Sequence, residues 1–145
     1  MPDAGVQVFF YGSFMNREVL ARSQVAPEGL EAARLWGHDI RIAPLANLVR
    51  SDERCVYGVL CELTHAELDR LFGKARFGTY RPEAVLVETG SRALVPALCY
   101  VAPAAAAEPP AIDYLNRIIA AARQQRFPDW YVARLESFRP GSGSA

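Results

Sequence analysis

Hydrophobic positions along this chain of 145 residues follow two rhythms, and each change of rhythm marks where a strand gives way to a helix. Residues 6–11 form a short, nearly continuous apolar run, which predicts a strand buried on both faces and central in its sheet. The run ends at Gly12-Ser13. Asn16 then reads as an N-cap, with Glu18 in the first turn and Val19 and Leu20 opening an apolar face. Gly12 and Ser13 are thereby predicted at a strand-to-helix junction, where free backbone N–H groups and the helix dipole favour a negative partner.

Residues 30–35 and 38–43 predict two short strands joined by Trp36-Gly37 as a turn, followed by a loop over 44–52 and a strand over 56–63. Thr64 and Glu67 have capping-box spacing, with Leu63 and Leu68 at the staple positions, so a helix starts there and runs to Phe72. A strand pair over 84–88 and 93–101 turns at Thr89-Gly90-Ser91-Arg92, and Pro96 implies an edge or a bulge. An Ala/Pro-rich strap over 102–110 leads to a helix over 111–125, on which Ile112, Leu115, Ile118, Ile119 and Ala122 share one face. Pro128 opens a last helix through Phe138, with Tyr131, Leu135 and Phe138 on its apolar side. Six strands and four helices in this order predict an α+β fold, a small, mostly antiparallel sheet that curls beneath helices. One domain over 1–140 and a disordered tail over 141–145 are expected.

Charge narrows the partners. Sixteen basic and sixteen acidic side chains cancel, so no net field holds nucleic acid or an anionic membrane. The first residues lack a basic and apolar leader pattern, and no run of about 18 apolar residues occurs, so a soluble, cytoplasmic protein is expected. Cys55, Cys61 and Cys99 are odd in number and far apart, with only His38 and His65 as companions, which argues against a metal site and for buried thiols. A nucleophilic Ser13 would need a histidine base, and nothing ties either histidine to it.

Tyr11-Gly12-Ser13-Phe14-Met15 resembles the Tyr-Gly-Ser-x-(Leu/Met) signature of the gamma-glutamylcyclotransferase-like (AIG2-like) superfamily. Val56-Tyr57-Gly58-Val59, the helix that follows, Gly78-Thr79-Tyr80-Arg81 and the strand over 84–88 resemble further family segments in the same order. The resemblance implies a small mixed β-barrel with flanking helices and a small-molecule ligand. It also implies a reaction without cofactor, in which the glutamyl α-amine attacks its own γ-carbonyl, releasing an amine and leaving 5-oxoproline. Residue by residue it carries substrate binding to Tyr11, Gly12, Ser13, Phe14 and Met15, and adds Tyr80 and Tyr100.

One departure concerns the base. Family members place a catalytic Glu in a Glu-Gly step after the Leu-Asp helix, whereas Leu71-Phe72-Gly73-Lys74-Ala75-Arg76-Phe77-Gly78 holds no carboxylate, and by spacing Ala75 stands in its place. Glu83, nearest in sequence, and Glu62, grouped by alternation with Val56, Gly58 and Leu60, are the candidate replacements. The alternative is an inactive ligand-binding or interaction domain. Trp130 and Tyr131 on the last helix allow for a monomer or a weak homodimer.

Overall fold

The N-terminal apolar run forms strand β1 (Val6–Phe10), and four consecutive side chains, Val8, Phe9, Phe10 and Tyr11, are buried. Because successive strand residues point to opposite faces, such a run requires cover on both sides. The computed structural model, which describes residues 5–72, 80–102 and 108–140, supplies that cover. A five-stranded sheet closes into a barrel in the order β1-β3-β2-β4-β5, formed by β2 (Glu31–Ile42), β3 (Ala46–Leu63), β4 (Arg81–Thr89) and β5 (Leu94–Val101). Every ladder is antiparallel except the closing one, where β1 runs parallel to β5 at Val8↔Leu98. The expected mixed, mostly antiparallel barrel with flanking helices is what the chain forms. Pro96 lies in β5, whose ladder to β1 spans a single register pair, so a residue without an N–H is tolerated near the seam.

Among the described residues four α-helices flank the barrel: α1 (Arg17–Ala21), α2 (His65–Phe72), α3 (Ile112–Gln124) and α4 (Asp129–Glu136). Asn16 caps α1, its Oδ1 accepting from the Glu18 N–H at 2.9 Å, while its Nδ2 donates to the Arg117 carbonyl of α3. The capping box of α2 forms in both directions. The Thr64 N–H donates to Glu67 Oε1 at 3.0 Å, and the Glu67 N–H donates to Thr64 Oγ1 at 3.1 Å. On α3, Leu115, Ile118, Ile119 and Ala122 are buried as their spacing predicts, whereas Ile112 at its start is exposed. Pro128 stands as the N-cap of α4, one residue outside the helix. No helix among the described residues is long and apolar enough to cross a membrane.

β4 starts at Arg81, ahead of the expected 84, and α4 ends at Glu136, short of Phe138; two larger differences from the sequence reading lie in β2 and β3. Trp36-Gly37 does not turn the chain; β2 runs through it, with Trp36 facing Cys55 and His38 facing Arg50 across a slipped register. Gly37 takes φ +79° at this shift, where one residue of β2 stands against residues 51–54 of β3, so the extra length lies in β3 and β2 continues in the same direction. The reversal comes instead between Ile42 and Ala46, so most of the segment expected to be a loop is the first part of β3. The expected tail over 141–145, and 103–107 of the expected strap, lie outside the described residues.

One tight passage holds β1 against β3. A Cβ added at Gly58 would stand 2.2 Å from the Phe10 carbonyl oxygen and 2.6 Å from the Phe9 ring. A methyl group there forces the two strands apart at the centre of the barrel. Gly58→Ala is expected to cost about 3 kcal/mol in urea unfolding, whereas Gly90→Ala, where a new Cβ meets nothing within 4 Å, changes stability by less than about 1 kcal/mol. Equal effects of the two substitutions would remove this account of Gly58.

Candidate functional site

Where β1 ends, the chain makes a single 3₁₀ turn, Ser13–Met15, before Asn16 starts α1. This turn, together with the β3 start at Ala46 and with Phe72, Tyr80, Tyr100 and Tyr114, encloses a cavity of about 50 Å³. Gly12 has an ordinary φ of −114°, so its need for glycine is spatial. A Cβ there would stand 3.0 Å from the Ala46 Cβ and 3.6 Å from the Tyr114 hydroxyl.

Phenol hydroxyls tie the wall together. Tyr11 Oη donates to the Tyr100 carbonyl at 2.6 Å, and Tyr80 Oη donates to the Ala46 carbonyl at 2.5 Å. The Ala46 N–H in turn donates to Tyr114 Oη at 2.9 Å, and Ser13 lines the cavity beside it. Both backbone polar groups of Ala46 are thus satisfied by tyrosines from distant segments. A clasp beside it secures the next residue: Asn47 donates to the Ala102 carbonyl at 2.8 Å and accepts from the Ala102 N–H at 2.9 Å.

The remaining wall is aromatic. Phe72, the last residue of α2, lies flat on Tyr100 with ring centroids 3.7 Å apart and planes 5° from parallel. Phe14 meets the Phe72 ring edge-on at 5.3 Å and Phe10 at 5.5 Å. Such contacts add about 0.5–1.5 kcal/mol each beyond the area they bury, so the end of α2 is anchored to the site by its ring.

Burial sets the electrostatics. It drives the Tyr11 hydroxyl far above the ordinary phenol range, with Cys99, Tyr80, Tyr114 and Glu83 pushing the same way. Burial likewise raises Tyr80, Tyr100 and Tyr114, and pushes the Cys99 thiol up to about 12, helped by the Glu83 carboxylate. The phenols of the cavity keep their protons at pH 7 and act as hydrogen-bonding groups, and among the described lining residues there is no carboxylate or cation.

Of the residues singled out in the sequence, Tyr11, Gly12, Ser13, Phe14, Tyr80 and Tyr100 come together around this cavity. Met15 does not line it; its side chain is buried in the core. Glu83 is exposed, yet it pairs with Cys99 and shares the side of β4 that carries the half-buried Val85 and the buried Val87 and Thr89. It therefore stands at the open end of the inward face, near enough to act on Tyr11 and Cys99. Glu62 is exposed and pairs with Gln7, lining a separate groove with Gly5 and Glu67. It lies on the Leu60 face, as alternation grouped it, but past the covered part of the strand. Ala75 lies outside the described residues.

Sequence reasoning missed Phe9, Phe10, Ala46, Phe72 and Tyr114. Tyr114 carried a faint signal, an aromatic residue beside the buried stripe in the first turn of α3. Among the described residues no group of three or more His, Cys, Asp or Glu side chains is placed to hold a metal ion.

Comparison with known proteins adds the following. The model of the AIG2-like family matches residues 55–135. Comparison with curated proteins finds no match. Among solved structures the chain is similar to an uncharacterized protein from Homo sapiens, with TM-score 0.84 and 20% identity over 99% of this chain and 93% of that one. It is similar to a gamma-glutamyl cyclotransferase, with TM-score 0.82 and 20% identity over 97% and 92% of the two chains. A yeast gamma-glutamyl cyclotransferase specific to glutathione gives TM-score 0.69 and 12% identity over 94% and 98%. At these identities the likeness is one of fold.

The raised thiols and phenols carry a pH dependence. A thiol with an ordinary value of 9.0 and a folded value of about 12, as for Cys61 and Cys99, keeps its proton in the fold and loses it on unfolding. That stabilisation is complete below the unfolded value and declines as pH rises from there toward the folded one. The thermal midpoint is expected to stay level between about pH 7 and 8.5 and to fall steadily from about pH 9 to 11. The same burial leaves both thiols unreactive toward a disulfide reagent at pH 8 until the protein unfolds; rapid labelling of the native chain at Cys61 and Cys99 would contradict it.

Proposed function

Because the chain belongs to the AIG2-like family, we propose that it holds a small γ-glutamyl-type metabolite at the Tyr11-Gly12-Ser13-Phe14-Met15 loop and cyclises it. Its fold is that of the gamma-glutamyl cyclotransferases, two of which are among its structural neighbours. The observation that carries the reading is the cavity at this loop, framed by Gly12, Ser13 and the phenols of Tyr11, Tyr80 and Tyr114. Tyr11, whose hydroxyl proton is committed to the Tyr100 carbonyl, offers its oxygen lone pairs to an ammonium or amide N–H. The cavity itself is small, so a glutamyl ligand would reach outward from it, and in this reading it meets Glu83 there.

In the proposed reaction the glutamyl α-amine attacks the γ-carbonyl carbon and the γ-amide C–N bond breaks. The amine leaves, and 5-oxoproline remains. The α-ammonium must first lose a proton, and the leaving nitrogen must gain one. We assign both transfers to Glu83, the carboxylate whose charge reaches Tyr11 and Cys99. Held within a folded-back pocket, the two ends of the ligand react as one molecule, the kind of positioning that supplies much of the rate in such closures.

A second reading rests on a specific observation. Phe72 lies against Tyr100 in the wall, and among the described residues no carboxylate lines the cavity, which favours a domain that binds the metabolite without turning it over. Incubation with a panel of γ-glutamyl amides, with mass-spectrometric detection of 5-oxoproline and released amine, separates the two readings. Under the first, the wild-type chain forms product and Glu83→Gln lowers kcat by about 10²–10⁴ while ligand-induced thermal stabilisation persists. Glu62→Gln leaves turnover unchanged, and Gly12→Val, which drives a side chain into Ala46, abolishes binding and turnover together. Thermal stabilisation without product from any substrate supports the second reading; neither stabilisation nor product would sink both.

A further inference from the structure

Three residues other than glycine adopt positive φ among the described residues: Gln24 at 59°, Arg92 at 65° and Arg126 at 58°. The two arginines border one groove. Arg92 closes the β4–β5 turn, where its N–H donates to the Thr89 carbonyl and the Thr89 N–H donates to the Ala93 carbonyl. Arg126 ends α3, where the Phe127 N–H reaches back to the Ala122 carbonyl and the Arg126 N–H to the Arg123 carbonyl. Both positions are ones where glycine is the default, the left-handed residue closing a three-residue hairpin and the left-handed residue after a helix. A side chain with a Cβ costs backbone energy at each. In the turn a glycine is present two places earlier, at Gly90, while the strained position holds an arginine.

The groove between them has a volume of about 420 Å³ and shares no residue with the cavity at the Gly12 loop. Its floor includes Tyr57 and Phe127, and a third guanidinium, Arg34, reaches into it from β2. Arg34 is paired with Glu88 and lies 5.1 Å from the Trp36 ring. Among the described residues neither Arg92 nor Arg126 has a carboxylate within ion-pair distance, and both are exposed. Three cations against one carboxylate leave a local excess of positive charge in a chain whose total charge is zero.

From this convergence we infer that the groove between the β4–β5 turn and the end of α3 binds the phosphate group of a small metabolite, with Arg92 and Arg126 as its two clamping cations and Arg34 behind them. Guanidinium groups present paired N–H donors that match phosphate oxygens. The chain as a whole carries no net charge, which suits a small ligand in the groove and not a nucleic acid or a membrane. Positions where arginine costs stability and gains a ligand contact follow the usual trade between stability and function.

The inference separates stability from binding in a way that a structural role would not. Arg92→Gly and Arg126→Gly remove the strain, so each is expected to raise the thermal midpoint by about 3 °C. Each is expected to weaken binding of inorganic phosphate and pyrophosphate about tenfold, measured by calorimetry on the full chain at low ionic strength. Amide NMR shifts on adding phosphate should concentrate at Thr89, Gly90, Arg92, Arg126 and Phe127 in the wild type and vanish in the double glycine variant. Shifts no larger than those from sodium chloride of matched ionic strength would overturn the inference. So would equal phosphate affinity in the wild type and both glycine variants, since the variants fold at least as well as the parent.

Discussion

Cover on both faces of β1 is the constraint from which the rest of this molecule follows. A strand with Val8, Phe9, Phe10 and Tyr11 all buried cannot sit at the margin of an open sheet, because one of its faces would then meet water. Closing the sheet, so that β1 pairs with β3 on one side and β5 on the other, places one face inside the barrel and the other beneath the helices. The fit is close enough that Gly58 has no room for a methyl group. Closure also decides where the loop after β1 emerges. Gly12 and Ser13 lie against the first residues of β3 and the first turn of α3, and three tyrosines from separate parts of the chain meet there.

Over its described lining the site that closure builds is neutral at pH 7, with polarity delivered through phenol hydroxyl groups and backbone. Glu83 lies outside that described lining, on β4 opposite Cys99, where its charge pushes the Tyr11 hydroxyl and the Cys99 thiol up. The groove bordered by Arg92 and Arg126 has the opposite character, with open cations over an aromatic floor.

Much of this was legible in the residue pattern, and the exceptions have physical causes. The α2 capping box and the Asn16 cap depend on contacts within a few residues, which spacing encodes directly. The buried stripe of α3 was visible for the same reason, apart from Ile112, where the helix begins before its face meets the barrel. Gly37 misled because glycine permits a turn and a bulge equally, and only the partner strand decides between them. The site divided along similar lines. Its loop was readable as a motif, whereas Ala46 and Phe72 enter it through tertiary contacts alone: Ala46 by hydrogen bonds to two tyrosines, Phe72 by stacking on a ring 28 residues away.

The two candidate carboxylates show what alternation can and cannot decide. Glu62 and Glu83 both sit near strand ends, and each belongs to a face that is buried further along the strand. Parity assigns a face; it does not say which end of the barrel a residue has reached. Register does. Glu62 pairs with Gln7 near the start of β1, at the end of the strand away from the Gly12 loop. Glu83 pairs with Cys99, beside Tyr100, whose backbone carbonyl takes the Tyr11 hydroxyl and whose ring carries Phe72. A carboxylate at that register stays in contact with solvent and escapes the desolvation cost that a carboxylate inside the aromatic wall would carry.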